Sequence, residues 1–547
     1  MQRNNVSVKG VANGKACLPS KAQKRHAASI CGDTIVILKG AGLNAQTRRE
    51  FLRTLGAVAV TTLPGNICVG GHSSASWKPN ILWIYIEDMN PWFGCYGDKT
   101  VPTPNMDKLA RDGVLFERCY VPVPVCSPTR SSLITGRMPT TIGVHNHDGA
   151  YAKLPDYLEG NTLPEIFRKN GYQTFNQGKD HYTFVYDREK LYSKLLHKGP
   201  FPLRLTPDVS PNDYAPWRGL PDKGKPFFGQ IQLTGGKNGN FEVLSALVPP
   251  ESVVENIPPI YPKNEVFMNT VARHYNSIAI TDLEVGKIME LLKEDNLLDN
   301  TIVFCFSDHG VDFPRGKQFC YEEGLHVPFI IRAPKNLAKA KNNSRRKDLM
   351  CLLDASATSL AFANIGIPGW YDSKDLFDKS CKREFVVSSK DRMDYTIDRV
   401  RALTTDDGYR YIRNYMLDRP YMQLNYRSGT GMMKNMEELF ARGELSDVQA
   451  RFFSNYRPAE ELYNVKDDPY EINNLVYNPE FKAKLVELRG KLEKWVKETD
   501  DKGQYPESRE NLQKVYEKWK DRFITRYGKP FEEMVTSPEY EFLRKAP

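Results

Sequence analysis

Cys126-Ser127-Pro128-Thr129-Arg130-Ser131-Ser132-Leu133-Ile134-Thr135-Gly136-Arg137 sets a cysteine and an arginine four residues apart, where a strand would turn into a helix. On a helix that spacing puts both side chains on one face. It reads as a reaction centre built on a reactive cysteine with a cation beside it. Two other short sequences carry chemistry of a different kind. Glu87-Asp88 and Ser307-Asp308-His309-Gly310 each place acids directly after an apolar run. Clustered carboxylates repel one another unless a cation joins them, and calcium and magnesium take oxygen ligands. Acids in such places also cap helices, so either pair alone decides little. Gly178-Lys179-Asp180-His181 adds a lysine and a histidine suited to an anionic substrate, although by itself a Lys-x-His sequence is more often a solvated loop.

The elements that must position these residues can be read from the apolar pattern. Asn80-Ile81-Leu82-Trp83-Ile84-Tyr85-Ile86 and Thr301-Ile302-Val303-Phe304-Cys305-Phe306 are continuous runs, which fit strands buried on both faces with their acids at the carboxyl ends. Open α/β sheets hold ligands beyond those ends, so the two acidic tips are expected to share one site. Helical spacing falls between such strands, over 104–112, 162–170 and 277–294. The expectation is an α/β fold, a large, mostly parallel sheet flanked by helices. After about residue 380 the pattern changes. Val400 to Thr404 and Tyr409 to Arg413 flank Asp406-Asp407-Gly408 as a hairpin, and Phe481 to Glu498 reads as an amphipathic helix. A smaller C-terminal unit of antiparallel sheet plus helix follows, over 381–547, with 77–380 as the catalytic domain. Residues 499–547 give no clear pattern.

The formal charge of +9 would invite a polyanion-binding role, yet the first 53 residues hold ten Lys and Arg against Asp33 and Glu50. The rest of the chain is nearly neutral, which removes the case for nucleic acid. Thr47-Arg48-Arg49-Glu50-Phe51-Leu52-Arg53 before the uncharged stretch Leu55 to Leu63 reads as a twin-arginine export signal, so residues 1–76 are expected to be a leader cleaved between Val69 and Ser76. Gly65-Asn66-Ile67 makes a poor lipid-attachment sequence for Cys68, and no segment offers the twenty or so apolar residues of a membrane span. The expected home is therefore the periplasm or the extracellular space. Cys95, Cys119, Cys126, Cys305, Cys320, Cys351 and Cys381 are scattered, without the spacing of a zinc site or a disulfide framework.

The stretch from Cys126 to Arg137 resembles the sulfatase signature, with Thr129 where serine is usual. The resemblance extends to Asn80 through Asp88, Gly94-Cys95-Tyr96-Gly97, Thr103-Pro104-Asn105-Met106-Asp107, the Gly178 to His181 loop, Ser307 to Gly310 with Gly316-Lys317, and Glu461-Leu462-Tyr463-Asn464. It spans residues 79 to about 498 and implies an alkaline-phosphatase-like fold. It implies that Cys126 is converted, by a formylglycine-generating maturation enzyme, to Cα-formylglycine, whose hydrate is the nucleophile. It further implies that Glu87, Asp88, Asp308 and His309 hold one calcium ion together with residue 126. Glu87 and His309 stand where Asp and Asn are frequent, and an imidazole is an unusual ligand for a hard cation. Arg130, Lys179 and Lys317 match residues that bind the formylglycine or the sulfate oxygens, and His181 matches the base that takes the proton from the second hydroxyl.

Lys225-Pro226-Phe227-Phe228 resembles a strand that elsewhere ends in Pro-His-x-Pro; here Lys237 falls at the histidine, as a candidate sulfate ligand or leaving-group acid. Arg392 and Asp394 are candidates for the sugar pocket. The branch most alike in look is that of heparan N-sulfatase. The implied activity is hydrolysis of sulfate esters on a sulfated glycan, with sulfamate, phosphate or phosphonate cleavage as alternatives.

Overall fold

The computed structural model describes residues 78–547 apart from 149–150, 194–210, 238–246, 336–339, 381 and 545–547; the expected leader lies outside the described residues. The larger sheet has eight strands: β1 (Asn80–Ile86), β2 (Val114–Tyr120), β3 (Gln173–Gln177), β4 (Phe227–Leu233), β5 (Thr301–Ser307), β6 (His326–Arg332), β7 (Ser344–Arg346) and β8 (Met350–Cys351). Their order is β3-β4-β1-β5-β6-β2-β7, with β8 also on β2. Only β6 runs against the rest, antiparallel to both β5 and β2. The expected mostly parallel α/β sheet is thus found.

β1 is apolar throughout because both its faces are covered. Trp83 and Tyr85 enter one core with Phe228, Phe304 and Phe306, while Leu82, Ile84 and Ile86 enter the other with Ile231, Val303 and Cys305. Parallel pairing brings Ile86 opposite Ser307. Glu87-Asp88 and Asp308-His309 consequently leave the sheet side by side, and the Asp308 amide donates to the Ile86 carbonyl at 3.0 Å.

Helices cover the faces where the spacing placed them, over Pro104–Arg111 and Leu163–Lys169. The third is longer than its apolar repeat. It runs Glu265–Glu294, because Asn264 caps it by accepting from the Phe267 amide at 3.2 Å and because Phe267, Val271 and Ala272 are buried ahead of the regular stripe.

The second sheet is antiparallel and formed by β9 (Phe385–Lys390), β10 (Val400–Thr405), β11 (Tyr409–Asn414) and β12 (Glu460–Asn464), in the order β12-β11-β10-β9. The β10–β11 turn closes on Gly408, whose φ of 97° suits a residue without Cβ. Leu485, Leu488 and Leu492 of the Lys482–Glu498 helix pack on Leu403, Tyr411 and Leu462. The region beyond residue 499 also folds: the Arg509–Tyr527 helix buries Trp519 and Phe523 against Tyr395 and Phe531. Its apolar stripe is diluted by charged residues on the exposed faces, which is why its period is hard to read in the sequence.

The loop after β5 passes very close to the short Glu322–Leu325 helix; a Cβ on Gly310 would lie 1.7 Å from the Glu323 carbonyl oxygen. That backbone is held in part by the Asn90 side-chain amide, which donates to the same carbonyl at 3.1 Å. Glu323 accepts from the Tyr261 hydroxyl, and burial pushes its carboxyl up to about 7 against the lowering effect of Tyr261 and Arg315. The folded protein therefore keeps a proton that the unfolded chain releases near 4.5, so this contribution to stability is full below 4.5 and lost as pH rises through about 7. Urea unfolding should show wild type losing stability across that window and Glu323→Gln losing less of it; parallel profiles would refute the assignment.

Candidate active site

Cys126 is the first residue of the Cys126–Thr135 helix, after extended Val125, and every residue of that helix is buried. Gly136 ends it in the left-handed region. The helix start meets the carboxyl ends of β1 and β5. The Cys126 Sγ lies 3.1 Å from His309 Nε2, which is itself 3.1 Å from an Asp88 oxygen. One turn along, Arg130 joins three elements: Nε donates to Asp308 at 3.0 Å, Nη2 to Glu87 at 2.7 Å and Nη1 to Gln232 of β4 at 2.5 Å. Its guanidinium also lies over the Tyr85 ring, 4.7 Å from the centroid.

Three lysines complete the cluster. Lys179 donates to Glu87 at 2.6 Å and Lys317 to Asp88 at 2.8 Å. Lys237 pairs with the other Glu87 oxygen and lies 3.6 Å from Asp88. It reaches them from the turn after β4, where Gly235 takes a φ of 55° and a Cβ would strike the Glu87 carbonyl. Glu87, Asp88, Asp308 and His309 are fully buried.

Burial alone would raise the carboxyls, but Lys179, Lys237 and Arg130 outweigh it at Glu87 and hold that group well below its usual range. Asp88 is lowered too, burial being overcome by Lys237, Lys317 and His309. At Asp308 burial prevails and its carboxyl is raised. Burial opposes ionisation of Cys126, yet Lys179, Lys317, Lys237 and His309 bring it well below the ordinary thiol value.

The donor set fits a divalent cation. Ligand atoms of Glu87, Asp308 and Cys126 fall within 4.8 Å of one another, as do those of Asp88, His309 and Cys126. The buried Asp88 Oδ2 has no hydrogen-bond partner among the described residues. Three carboxylates favour a hard ion. Four cations remain around them, enough to hold an anionic ester as well.

The structure thus gathers Glu87, Asp88, Cys126, Arg130, Lys179, Lys237, Asp308, His309 and Lys317. His181 also reaches Cys126, with a ring nitrogen within 4.8 Å of the sulfur. Arg392 does not join them. It is 2% exposed, and its guanidinium is committed to Glu507 and to the carbonyls of His147, Asp148 and Asp394. It fastens one loop to another. Sequence reasoning missed His147, which has a ring nitrogen within 4.8 Å of the Cys126 sulfur. Its only trace is a histidine in Val144-His145-Asn146-His147, after the signature helix, and no spacing ties it to the other groups.

Fold and cluster together define a hydrolase of anionic esters. The sulfatase family profile matches residues 79–365. The chain is 31% identical over 479 residues to an ulvan-active sulfatase of Formosa agariphila, covering 79% of this chain and 77% of that protein. It is 24% identical to human N-sulphoglucosamine sulphohydrolase, covering 77% and 90%. Among solved structures, a 2-O GAG sulfatase superposes with a TM-score of 0.58 at 20% identity, covering 79% and 94%. The chain belongs to the sulfatase family and is a sulfuric ester hydrolase.

Arg130 is buried with Glu87 and Asp308 and hydrogen-bonds both of them. Arg130→Met should cost about 3–5 kcal/mol, the usual loss when one partner leaves a buried pair. Urea unfolding with EDTA present measures this, and an unchanged midpoint would refute it.

Proposed function

We propose that the protein is an exported sulfatase acting on sulfate esters of a sulfated carbohydrate, with Cys126 converted to formylglycine and a calcium ion bound beside it. One observation carries this reading: the Cys126 sulfur sits at the head of a buried helix, between a carboxylate cluster and four cations. A thiol serves poorly there, whereas an oxygen nucleophile on the same carbon meets both the metal ligands and the sulfate-binding lysines. The relatives support the substrate class, since one is named as ulvan-active and another as an N-sulphoglucosamine sulphohydrolase. Ulvan supports the ester reading and the second supports sulfamate as the alternative. Among the described residues no helix is long and apolar enough to cross a membrane.

Glu87, Asp88, Asp308, His309 and residue 126 would hold the metal, which supplies the positive charge that makes a hydroxyl nucleophilic near neutral pH. Conversion of Cys126 supplies that hydroxyl as an aldehyde hydrate. Arg130 fixes Glu87 and Asp308, two of the carboxylates that would hold the ion. Lys179 and Lys317 bind sulfate oxygens, whose charge rises as the ester bond breaks, so their fixed ammonium groups stabilise the transition state over the ground state. Lys237 has its ammonium beside Asp88 and Glu87 and its side chain 36% exposed, which supports the reading of it as a sulfate ligand or as the leaving-group acid. His181, also partly exposed and with a ring nitrogen close to residue 126, would take the proton from the second hydroxyl, so that the aldehyde re-forms and sulfate leaves.

Peptide mass analysis of protein from the native host should find Cys126 as formylglycine, and Cys126→Ala should lose activity; an unmodified thiol in fully active protein would overturn the nucleophile. Paired sulfate and phosphate esters of one aryl alcohol separate the reading from phosphate hydrolysis, with preference for sulfate expected. EDTA should lower the melting temperature and calcium restore it. Saturation at a hundred times Kd would add about 2.7 kcal/mol.

A further inference from the structure

We infer that a cavity at the amino-terminal edge of the larger sheet is a second binding site, which holds a sulfated polysaccharide apart from the reaction centre. The cavity measures about 1020 Å³, the upper end of the range of ligand sites. It is walled by residues of the 217–227 segment, by Lys78 and Asn80 at the start of β1, and by Asp295, Leu297 and Asn300 ahead of β5. The carboxyl ends of the same two strands carry Glu87-Asp88 and Asp308-His309. Strands of seven residues put about 20 Å between the cavity and that cluster.

The walls are fixed before a ligand arrives. Asn80 clamps the starts of three strands: its side-chain oxygen accepts from the Phe227 amide of β4 at 3.1 Å, and its nitrogen donates to Thr301 of β5 at 3.3 Å. Trp217 stacks on Phe227 with centroids 6.3 Å apart and donates from Nε1 to Asp295 at 2.6 Å. The Asp222 amide donates to Gln173 Oε1 at 3.1 Å and the Gly224 amide to Asp222 Oδ1 at 2.9 Å, which sets the Asp222-Lys223-Gly224-Lys225 turn. A preformed site spends little of its binding energy on ordering itself.

Charge selects the occupant. Arg218 is committed to Asp295 and Glu294. Lys78, Lys223 and Lys225 are exposed, and Lys225 lies 3.6 Å from Asp222. Lys78 donates to the Asn170 carbonyl at 3.0 Å, and Lys223 to the carbonyls of Trp217 and Arg218. A carbonyl satisfies an ammonium proton without cancelling its charge. Three lysines therefore stand against Asp222, the remaining carboxylate of the lining, in a chain that is nearly neutral beyond residue 53. A recess with such an excess concentrates anions. Resting on the reading of the substrate as a sulfated carbohydrate, the anions are sulfate groups of that polymer, with Leu220, Pro226 and Leu297 against its sugar faces. Charge gathered in one recess suits a flexible sugar chain, whereas a nucleic acid duplex is met along a basic stripe. Held here, the enzyme stays on the polymer after each turnover, because tethering raises the local concentration of uncleaved esters.

The test is calorimetric titration of the full chain carrying Cys126→Ala with dextran sulfate, uncharged dextran and duplex DNA. Dextran sulfate should bind and uncharged dextran should not, and adding Lys223→Glu with Lys225→Glu should weaken the binding by about tenfold or more. With Cys126 intact, the same two substitutions should raise KM for ulvan by a similar factor and leave kcat and KM for a small aryl sulfate unchanged. Lys223 braces two carbonyls, so Lys225→Glu alone, at a side chain 59% exposed, is measured beside the pair and should shift affinity in the same direction. No binding of dextran sulfate, or an affinity that neither variant changes, overturns the inference and leaves the sulfatase reading intact. Duplex DNA bound as tightly as dextran sulfate, and lost in the same variants, marks a patch for polyanions at large and also overturns it. Dextran sulfate binding that the variants abolish, in a wild type that cleaves no sulfated carbohydrate, upholds the site and overturns the substrate reading alone.

Discussion

The structure depends on keeping three carboxylates buried within reach of one another. Glu87, Asp88 and Asp308 are fully buried, and groups of like charge at that range cannot all stay ionised unless cations share the space. Arg130, Lys179, Lys237 and Lys317 supply that charge from four separate segments. Each interaction constrains a different part of the chain: the signature helix through Arg130, the loop after β3 through Lys179, the turn after β4 through Lys237 and the loop after β5 through Lys317. Electrostatic balance and chain path are therefore one problem, solved at the carboxyl edge of the sheet.

That edge is rigid at a cost. Asp88, Asp148, His181 and Asp394 all have positive φ, as does Gln318 beside Lys317. Such positions cost on the order of 1–3 kcal/mol each and persist where surrounding bonds over-determine them. Here the bonds come from distant elements. Lys518 of the Arg509–Tyr527 helix pairs with Asp148, and Glu507 just before that helix holds Arg392. The last fifty residues, polar and aromatic in sequence, brace two loops that face Cys126. The second sheet shares a core with the first, Val400, Ala402 and Ile412 packing in the same cluster as Tyr120 and Phe319, so this bracing is transmitted through packed side chains.

Much of this was legible from residue order. The apolar runs of β1 and β5 announce strands buried on both faces, and acids at their ends announce a shared edge, because parallel pairing aligns strand ends. The hairpin around Asp406-Asp407-Gly408 is equally local, since a tight turn needs a residue tolerant of positive φ. Arg392 shows the limit. An arginine among aromatic residues looks the same whether it greets a sugar or fastens two loops, and only its partners in the fold separate the cases. His147 shows it from the other side: nothing in a lone histidine after the signature helix says that Asp394, 247 residues later, will orient it.

The sequence by itself determined the strands, the acidic tips, the order of the signature helix and the kind of chemistry these residue types perform, because each is fixed by neighbours within a turn or a strand. Tertiary structure alone decided which groups meet around Cys126. It set Lys237 against Glu87 through the close approach of Gly235, committed Arg392 to Glu507 and neighbouring carbonyls, and brought His147 with Asp394 beside Cys126. These are contacts between segments far apart in the chain, where the energy lies in burial and charge pairing after the backbone has closed, and no local pattern records them.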